Sequence, residues 1–197
     1  MTAILVVAAH PDDEVLGCGG YIAARARNGD DVSVAFISDG VTSRINNKSQ
    51  FEIEARRKAA QQAADVLGAK NISFGDFPDN KLDTVPILEV IKHIETVISN
   101  INPSIILTHF GGDLNVDHRI VNQAVITACR PMSTQSVKQI MFFEVPSSTE
   151  WQVPLEDEAF VPNWYENIST TLTVKVEALT AYSMELREWP HPRSIKA

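Results

Sequence analysis

An uninterrupted apolar run, Ala3-Ile4-Leu5-Val6-Val7-Ala8-Ala9, ends abruptly in His10-Pro11-Asp12-Asp13-Glu14. A run with no polar side reads as a strand buried on both faces, as found in parallel sheets covered by helices. The string after it packs one imidazole and three carboxylates into five residues. Neighbouring carboxylates repel, and an apolar strand does not solvate them, so a divalent cation that neutralises the group is the natural physical account. Open α/β sheets bind ligands beyond the carboxyl ends of their strands, which is where this string falls.

Short runs rich in Val, Ile and Phe then alternate with stretches of helical period. Strands are expected over 3–9, 31–37, 71–74, 103–109 and 139–145, and helices over 14–28, 51–67, 85–99, 118–130 and 174–188. The pattern is that of βαβ units. It predicts a single-domain, Rossmann-like α/β fold over residues 1–197, with a mostly parallel sheet and helices on both faces. In the second helix Ile53, Ala60, Ala63, Ala64 and Leu67 form an apolar stripe, while Glu52, Glu54, Arg56, Arg57 and Lys58 are expected to face out. The last helix should stop before Trp189-Pro190-His191-Pro192-Arg193, because a residue preceding proline avoids helical geometry. Residues 146–168 read as a lid or rim whose aromatics, Trp151, Trp164 and Tyr165, are expected to pack on the core, with a platform for a sugar ring as the alternative.

A formal net charge of −8 argues against a nucleic-acid groove or an anionic membrane surface and leaves a small-molecule partner. Cys18 and Cys129 form no metal-type or redox pair and read as ordinary thiols in a reducing compartment. No basic leader precedes the opening run, which is too short for a signal-peptide core or a membrane span, so the cytoplasm is the default compartment. Whether the chain forms a homo-oligomer is left open.

His10 and Asp13 lie three apart at a strand-to-helix turn, so both can reach one ion. A further ligand is expected from the end of the fourth strand, where the loop His109-Phe110-Gly111-Gly112-Asp113-Leu114-Asn115-Val116-Asp117-His118 carries two histidines. Two imidazoles, one carboxylate and an open position form the ligand set of a hydrolytic zinc site. Of the other candidates, His109 ends a strand and is expected to be packed and hydrogen-bonded, and His93 to sit on a solvated helix face. Asp79-Asn80 is accounted for by turn chemistry. Gly17, Gly19 and Gly20 are accounted for by close approach of a helix to the sheet rather than by a dinucleotide, which the acidic string would repel.

The string Ala9-His10-Pro11-Asp12-Asp13-Glu14, with Asp117-His118 further on, resembles the PIG-L/LmbE family of zinc-dependent N-deacetylases, which remove acetyl from N-acetylglucosamine-type sugars. Ser38-Asp39-Gly40, Arg56 to Gly68, the 109–118 loop and Pro190-His191-Pro192-Arg193-Ser194 follow in the family's order. The resemblance implies an amino-sugar substrate and a zinc ion, or iron(II), held by His10, Asp13 and His118. It makes Asp12 the general base, with Glu14 supporting a ligand imidazole or the helix N-terminus. Many members carry a histidine three residues before the last ligand, where this chain has Asn115, which can hydrogen-bond an oxyanion but cannot act as an acid. The acid role then passes to His191, with Asp117 as its orienting carboxylate, to His109, or back to Asp12. Arg44 and Arg193 are candidate substrate contacts. Relatives often continue past Arg193, which leaves a shortened C-terminus open. Hydrolysis of another amide or a phosphoester, and metal holding without catalysis, stay as alternatives.

Overall fold

The computed structural model describes residues 1–41, 43, 50–153 and 159–197. Strands β1 (Ala3–Ala8), β2 (Asp31–Ser38), β3 (Asn71–Phe77), β4 (Ile105–His109) and β5 (Gln139–Phe143) form one sheet. Every pairing is parallel, in the order β3-β2-β1-β4-β5. Helices α1 (Asp13–Arg27), α2 (Gln50–Leu67), α3 (Ile87–Ile101), α4 (Val116–Ala128) and α5 (Leu172–Thr180) cover it.

The unbroken apolar run of β1 is explained by its central place. Ile4, Val6 and Ala8 join the core built with α1, α2 and α5, while Leu5, Val7 and Ala9 join that built with α3 and α4. All six are fully buried. Burying a side chain as large as Val, Leu or Ile contributes about 1.5–3 kcal/mol, so both faces of this strand are committed to packing and polar chemistry is confined to its end.

The strand order reverses between β1 and β4. The chain runs outward from β1 through β2 to β3, then returns to the other side of β1 as β4, and the loops at that point diverge to leave a crevice. Because all strands are parallel, the segments after β1, β3, β4 and β5 gather at one edge. The pairing of Val7 with Thr108 sets the ends of β1 and β4 side by side.

The last helix is shorter than the sequence suggests. It ends at Thr180 instead of continuing to 188, and tight turns follow, with Tyr182 N bonded to Leu179 O at 3.1 Å and Glu185 N to Tyr182 O at 2.8 Å. The turns bury Tyr182 completely and leave Glu185 only 7% exposed, and these two buried polar contacts replace further helix. The lid aromatics also differ from expectation: Trp151, Trp164 and Tyr165 are 51%, 59% and 80% exposed and do not pack on the core. Among the described residues no helix is long and apolar enough to cross a membrane.

Two glycines permit backbone approaches that a side chain would block. A Cβ on Gly17 in α1 would fall 2.3 Å from Phe143 Cδ2, so the ring of Phe143 packs against the helix backbone there. A Cβ on Gly75 would fall 2.4 Å from the carbonyl oxygen of Ile37, beside a bulge at which Phe36 pairs with Phe74 but Ser38 with Phe77. The extra residue in β3 bends the strand end that leads to Asp79. A backbone carbonyl cannot swing aside as a side chain can. Gly75→Ala is therefore expected to cost about 1–3 kcal/mol of stability. Urea denaturation followed by tryptophan fluorescence measures it, and an unchanged midpoint contradicts the clash.

Candidate metal centre

The turn from β1 into α1 is made within four residues, 9–12, and is bent at Asp12, whose φ of 129° lies where residues other than glycine rarely go. Helix-type bonds from Val15 N and Leu16 N to Asp12 O, at 3.1 and 3.0 Å, fix the bend from one side. Glu14 fixes it from the other, accepting Asp12 N at Oε2 (3.0 Å) and the hydroxyl of Tyr182 at Oε1 (2.6 Å). Burial pushes the Glu14 carboxyl up to about 8 against the pull of those two donors.

The bend sends Asp12 and Asp13 into different surroundings. Asp13 is fully buried, and its Oδ2 lies 3.2 Å from His10 Nδ1, 3.3 Å from His118 Nε2 and 3.5 Å from His109 Nε2. His10, Asp13 and His118 each present one ligand atom, all within 4.8 Å of one another. The rings of His10 and His118 are 5.3 Å apart at their centroids. His109, also fully buried, stacks on His118 at 3.8 Å and accepts the N–H of Ala9 at 2.8 Å, so it is a packed wall of the cluster.

His10 and His118 each have a carboxylate on the other side. His10 Nε2 lies 3.1 Å from Asp117 Oδ2 and 3.2 Å from Asp79 Oδ1. Asp117 is itself held by Asn80 N (2.7 Å) and Leu82 N (3.0 Å). His118 Nδ1 lies 3.1 Å from Asp113 Oδ1, and Asp113 accepts the hydroxyls of Ser148 and Thr149. A carboxylate behind an imidazole fixes its tautomer and turns the remaining nitrogen toward the shared space.

The donor set fits a divalent cation. Both nitrogens of His10 face carboxylates, whereas a neutral imidazole has a single N–H, so one lone pair there calls for a positive partner. Burial alone disfavours the imidazolium of His10, yet Asp117 and Asp13 outweigh it and hold its pKa well above the ordinary value. His118 is raised against its burial in the same way, chiefly by Asp13. Among the described residues, buried Asp13 Oδ1 and His118 Nε2 lack a hydrogen-bond partner. A cavity of about 650 Å³ lies apart from these groups, lined by Tyr21, Phe110, Phe143, Phe160 and Trp164 among others. The chemistry is concentrated at the strand ends rather than there.

Asp12 faces the opposite way, toward arginine. Its Oδ2 lies 3.1 Å from Arg193 Nη1 and 3.9 Å from Arg56 Nη1. Burial, then the charge of Asp13, pushes Asp12 up to about 6, opposed by the two arginines. Arg56 is not on the solvated face of α2 that the sequence suggests: it is 2% exposed, donates to Pro11 O at 3.1 Å and pairs with Glu185. A charged face at helical spacing does not reveal which of its members meets a buried partner from elsewhere in the chain.

Asp117 orients His10, not His191: the ring of His191 accepts the N–H of Arg193 at Nδ1 (3.0 Å) and meets Trp151 edge-on at 5.6 Å. Asn115 caps α4, accepting Asp117 N at 2.8 Å, and donates from Nδ2 to Asn80 Oδ1 at 3.0 Å. Arg44 lies outside the described residues. His93 is half-buried, edge-on to Phe77 at 5.6 Å. Asp79, read from sequence as a turn residue, is buried against His10. The sequence alone does not point to Asp113, Tyr182 or Glu185. Position after a strand marks Asp79 and Asp113 once all strand ends are known to share an edge, but nothing local marks Tyr182 or Glu185.

A parallel α/β sheet with buried imidazoles and carboxylates at its switch point defines the class, Rossmann-like proteins with a candidate metal centre at the strand ends. Within that class the chain belongs to the PIG-L family, described as GlcNAc-PI de-N-acetylase, which matches residues 5–129. It is 29% identical over 182 residues to the uncharacterized deacetylase YaiS of Escherichia coli K12, covering 89% of this chain and 88% of that protein. It is 28% identical over 185 residues to a probable N-acetyl-alpha-D-glucosaminyl L-malate deacetylase 2 of Bacillus cereus, covering 91% and 81%. The fold matches that of N,N'-diacetylchitobiose deacetylase from Pyrococcus horikoshii with a TM-score of 0.76 at 20% identity, over 94% of this chain and 71% of that one.

Asp113 supplies a pH-dependent contribution to stability. Burial would raise its carboxyl, but His118, Ser148 and Thr149 outweigh burial and bring it down to about 2 from an ordinary 3.8. A depressed carboxylate stabilises the fold above its unfolded value and loses that contribution as pH falls through the folded one. Asp113→Asn should therefore be less stable than wild type at neutral pH, with the gap narrowing between about pH 5 and 2. Denaturation of the metal-free proteins across that range reads it, and a gap independent of pH contradicts the assignment.

Proposed function

We propose that this protein is a metal-dependent hydrolase that removes the acetyl group from an N-acetylated amino sugar or sugar conjugate. The observation that carries the reading is the pairing of a three-ligand cluster, His10, Asp13 and His118, with a second carboxylate, Asp12, one residue away but pointed out of the cluster. The names of the relatives, which specify glucosaminyl-malate and diacetylchitobiose deacetylation, support the substrate class. We read residues 1–197 as one deacetylase domain with a small-molecule partner, acting in the cytoplasm.

His10, Asp13 and His118 would hold the ion, zinc or iron(II). When bound, such an ion supplies a Lewis acid for the acyl oxygen and brings the pKa of water to about 7. Asp12 takes a proton from the attacking water and returns it to the departing amine, as the acid nearest that reaction. Asp117 and Asp79 keep His10 in one orientation and Asp113 does so for His118. Asn115 Nδ2 has two protons and gives one to Asn80, which leaves the other for the acyl oxygen. One such donor is typically worth about 3–4 kcal/mol in the transition state. Arg193 contacts the substrate beside Asp12, Arg44 is a second substrate contact from outside the described residues, and His191 with Trp151 forms a rim outside Arg193.

Acetate release from N-acetylglucosamine, diacetylchitobiose and N-acetylglucosaminyl-malate, with and without chelator, tests the reading. Chelator-sensitive release is expected, and metal-loaded protein that releases no acetate from any of them refutes it. Asp12→Asn should lower kcat by about a hundredfold or more with little change in metal content. The base must be ionised to work, so activity should fall on acidification. A cation beside Asp13 draws the Asp12 value below its metal-free 6, so the acid limb of kcat/KM should lie at or below about pH 6. A limb well above that pH contradicts Asp12 as the base.

A further inference from the structure

Two arginines from distant parts of the chain meet at one oxygen. Arg193 Nη1 and Arg56 Nη1 lie 3.1 and 3.9 Å from Asp12 Oδ2. Guanidinium groups this close repel each other, and a single carboxylate does not balance both. Glu185 completes the balance: its Oε1 accepts from Arg56 Nη2, and its Oε2 lies 3.8 Å from Arg193 Nη1. Asp12, Arg56 and Glu185 are 3%, 2% and 7% exposed, so this exchange of charge takes place away from water. Arg187 Nη2 reaches Glu185 Oε2 from outside at 4.0 Å.

Each arginine has a second anchor. Arg56 donates to Pro11 O at 3.1 Å, and Arg193 donates from Nε to Ser147 Oγ at 2.6 Å. The anchors set where the guanidinium groups sit, and Glu185 sets their relation to each other. Among the described residues, every hydrogen bond and ion pair of the Asp12 carboxylate is made at Oδ2. The other oxygen, Oδ1, is left for the reacting side.

We propose that Glu185 is a positioning residue for the reaction: by tying Arg56 to Arg193 it immobilises Asp12 Oδ2 and leaves Oδ1 as the atom presented for proton transfer. The proposal rests on the reading of Asp12 as the base. It assigns a task to a residue that lies 173 positions from Asp12 in the sequence. An unbalanced pair of arginines would draw both oxygens of Asp12 or move apart, and in either case Oδ1 loses its fixed direction.

Glu185→Gln keeps the shape and removes the charge. In metal-loaded protein, on the acetamido sugar that wild type hydrolyses, kcat per bound metal should fall about ten- to a hundredfold. KM should stay within about threefold. Because Glu185 acts through Arg193, the double variant Glu185→Gln/Arg193→Gln should be no slower than the slower single variant. Wild-type kcat in Glu185→Gln, additive losses in the double variant, or a loss that vanishes once rates are normalised to folded, metal-loaded protein would each overturn the proposal.

A readout without turnover makes the test independent of the deacetylase reading. The Arg193 Nε–H, held by Ser147, should give a sharp, slowly exchanging signal in 15N NMR spectra of wild type and an exchange-broadened one in Glu185→Gln. An unchanged signal overturns the role of Glu185 even if wild type proves to hydrolyse no acetamido sugar, a result that by itself would end only the functional reading.

Discussion

The carboxylate of Asp13 is where the two halves of the sheet are joined chemically. It belongs to the first turn of α1, where exposed backbone N–H groups favour a negative charge. Its Oδ2 accepts the backbone N–H of His10 at 2.9 Å and has imidazoles from the turn after β1, from β4 and from α4 within 3.5 Å. That convergence requires β1 and β4 to be neighbours, which the reversal of strand order provides. The apolar faces of β1 hold the sheet between its helix layers. The polar end of β1 decides what gathers at the edge.

Three consecutive acidic residues are tolerated because each is given a separate partner. Asp13 has the histidines, Asp12 the arginines, and Glu14 the hydroxyl of Tyr182 and the backbone of Asp12. The positive φ at Asp12 bends the backbone between the first two acids, one of which faces the arginines and the other the histidines. Strain of this kind costs on the order of 1–3 kcal/mol and persists only where surrounding contacts fix it. Here the bonds to Asp12 O and from Asp12 N do so. The backbone irregularity and the division of labour between neighbouring acids are one feature.

Much of this was legible in the sequence, for identifiable reasons. Strands β1, β2 and β4 are apolar on both faces because they are interior, and an apolar run that stops at His10 or His109 marks a sheet edge without reference to anything distant. The spacing of His10 and Asp13 is local and survives folding as a shared contact. What failed was the assignment of partners. Arg56 sits in a charged cluster on an otherwise amphipathic helix, and only the return of the chain at Glu185 shows that it points inward. Residue character alone pairs Asp117 with His191, whereas topology gives it to His10 through the turn after β3. The short α5 has the same origin, since the pull of Glu14 and Arg56 on Tyr182 and Glu185 is exerted by residues far away in sequence.

The kinds of cation placed around the two aspartates differ in a way that chemistry requires. Arginine stays charged at every accessible pH, so it gives Asp12 a permanent counter-charge and cannot be exchanged for a metal. Histidine gives up its charge by losing a proton, so the positive charge that His10 and His118 lend Asp13 can be replaced by that of an ion while the same ring nitrogens become ligands. An arginine beside Asp13 would fill the place the ion needs. A histidine beside Asp12 would compete for the proton that Asp12 is meant to carry. The arrangement keeps fixed charge on the carboxylate proposed to move a proton and exchangeable charge on the one proposed to bind the metal. Local sequence could not supply the fixed charge without crowding the cluster, so it arrives from α2 and from the segment after α5.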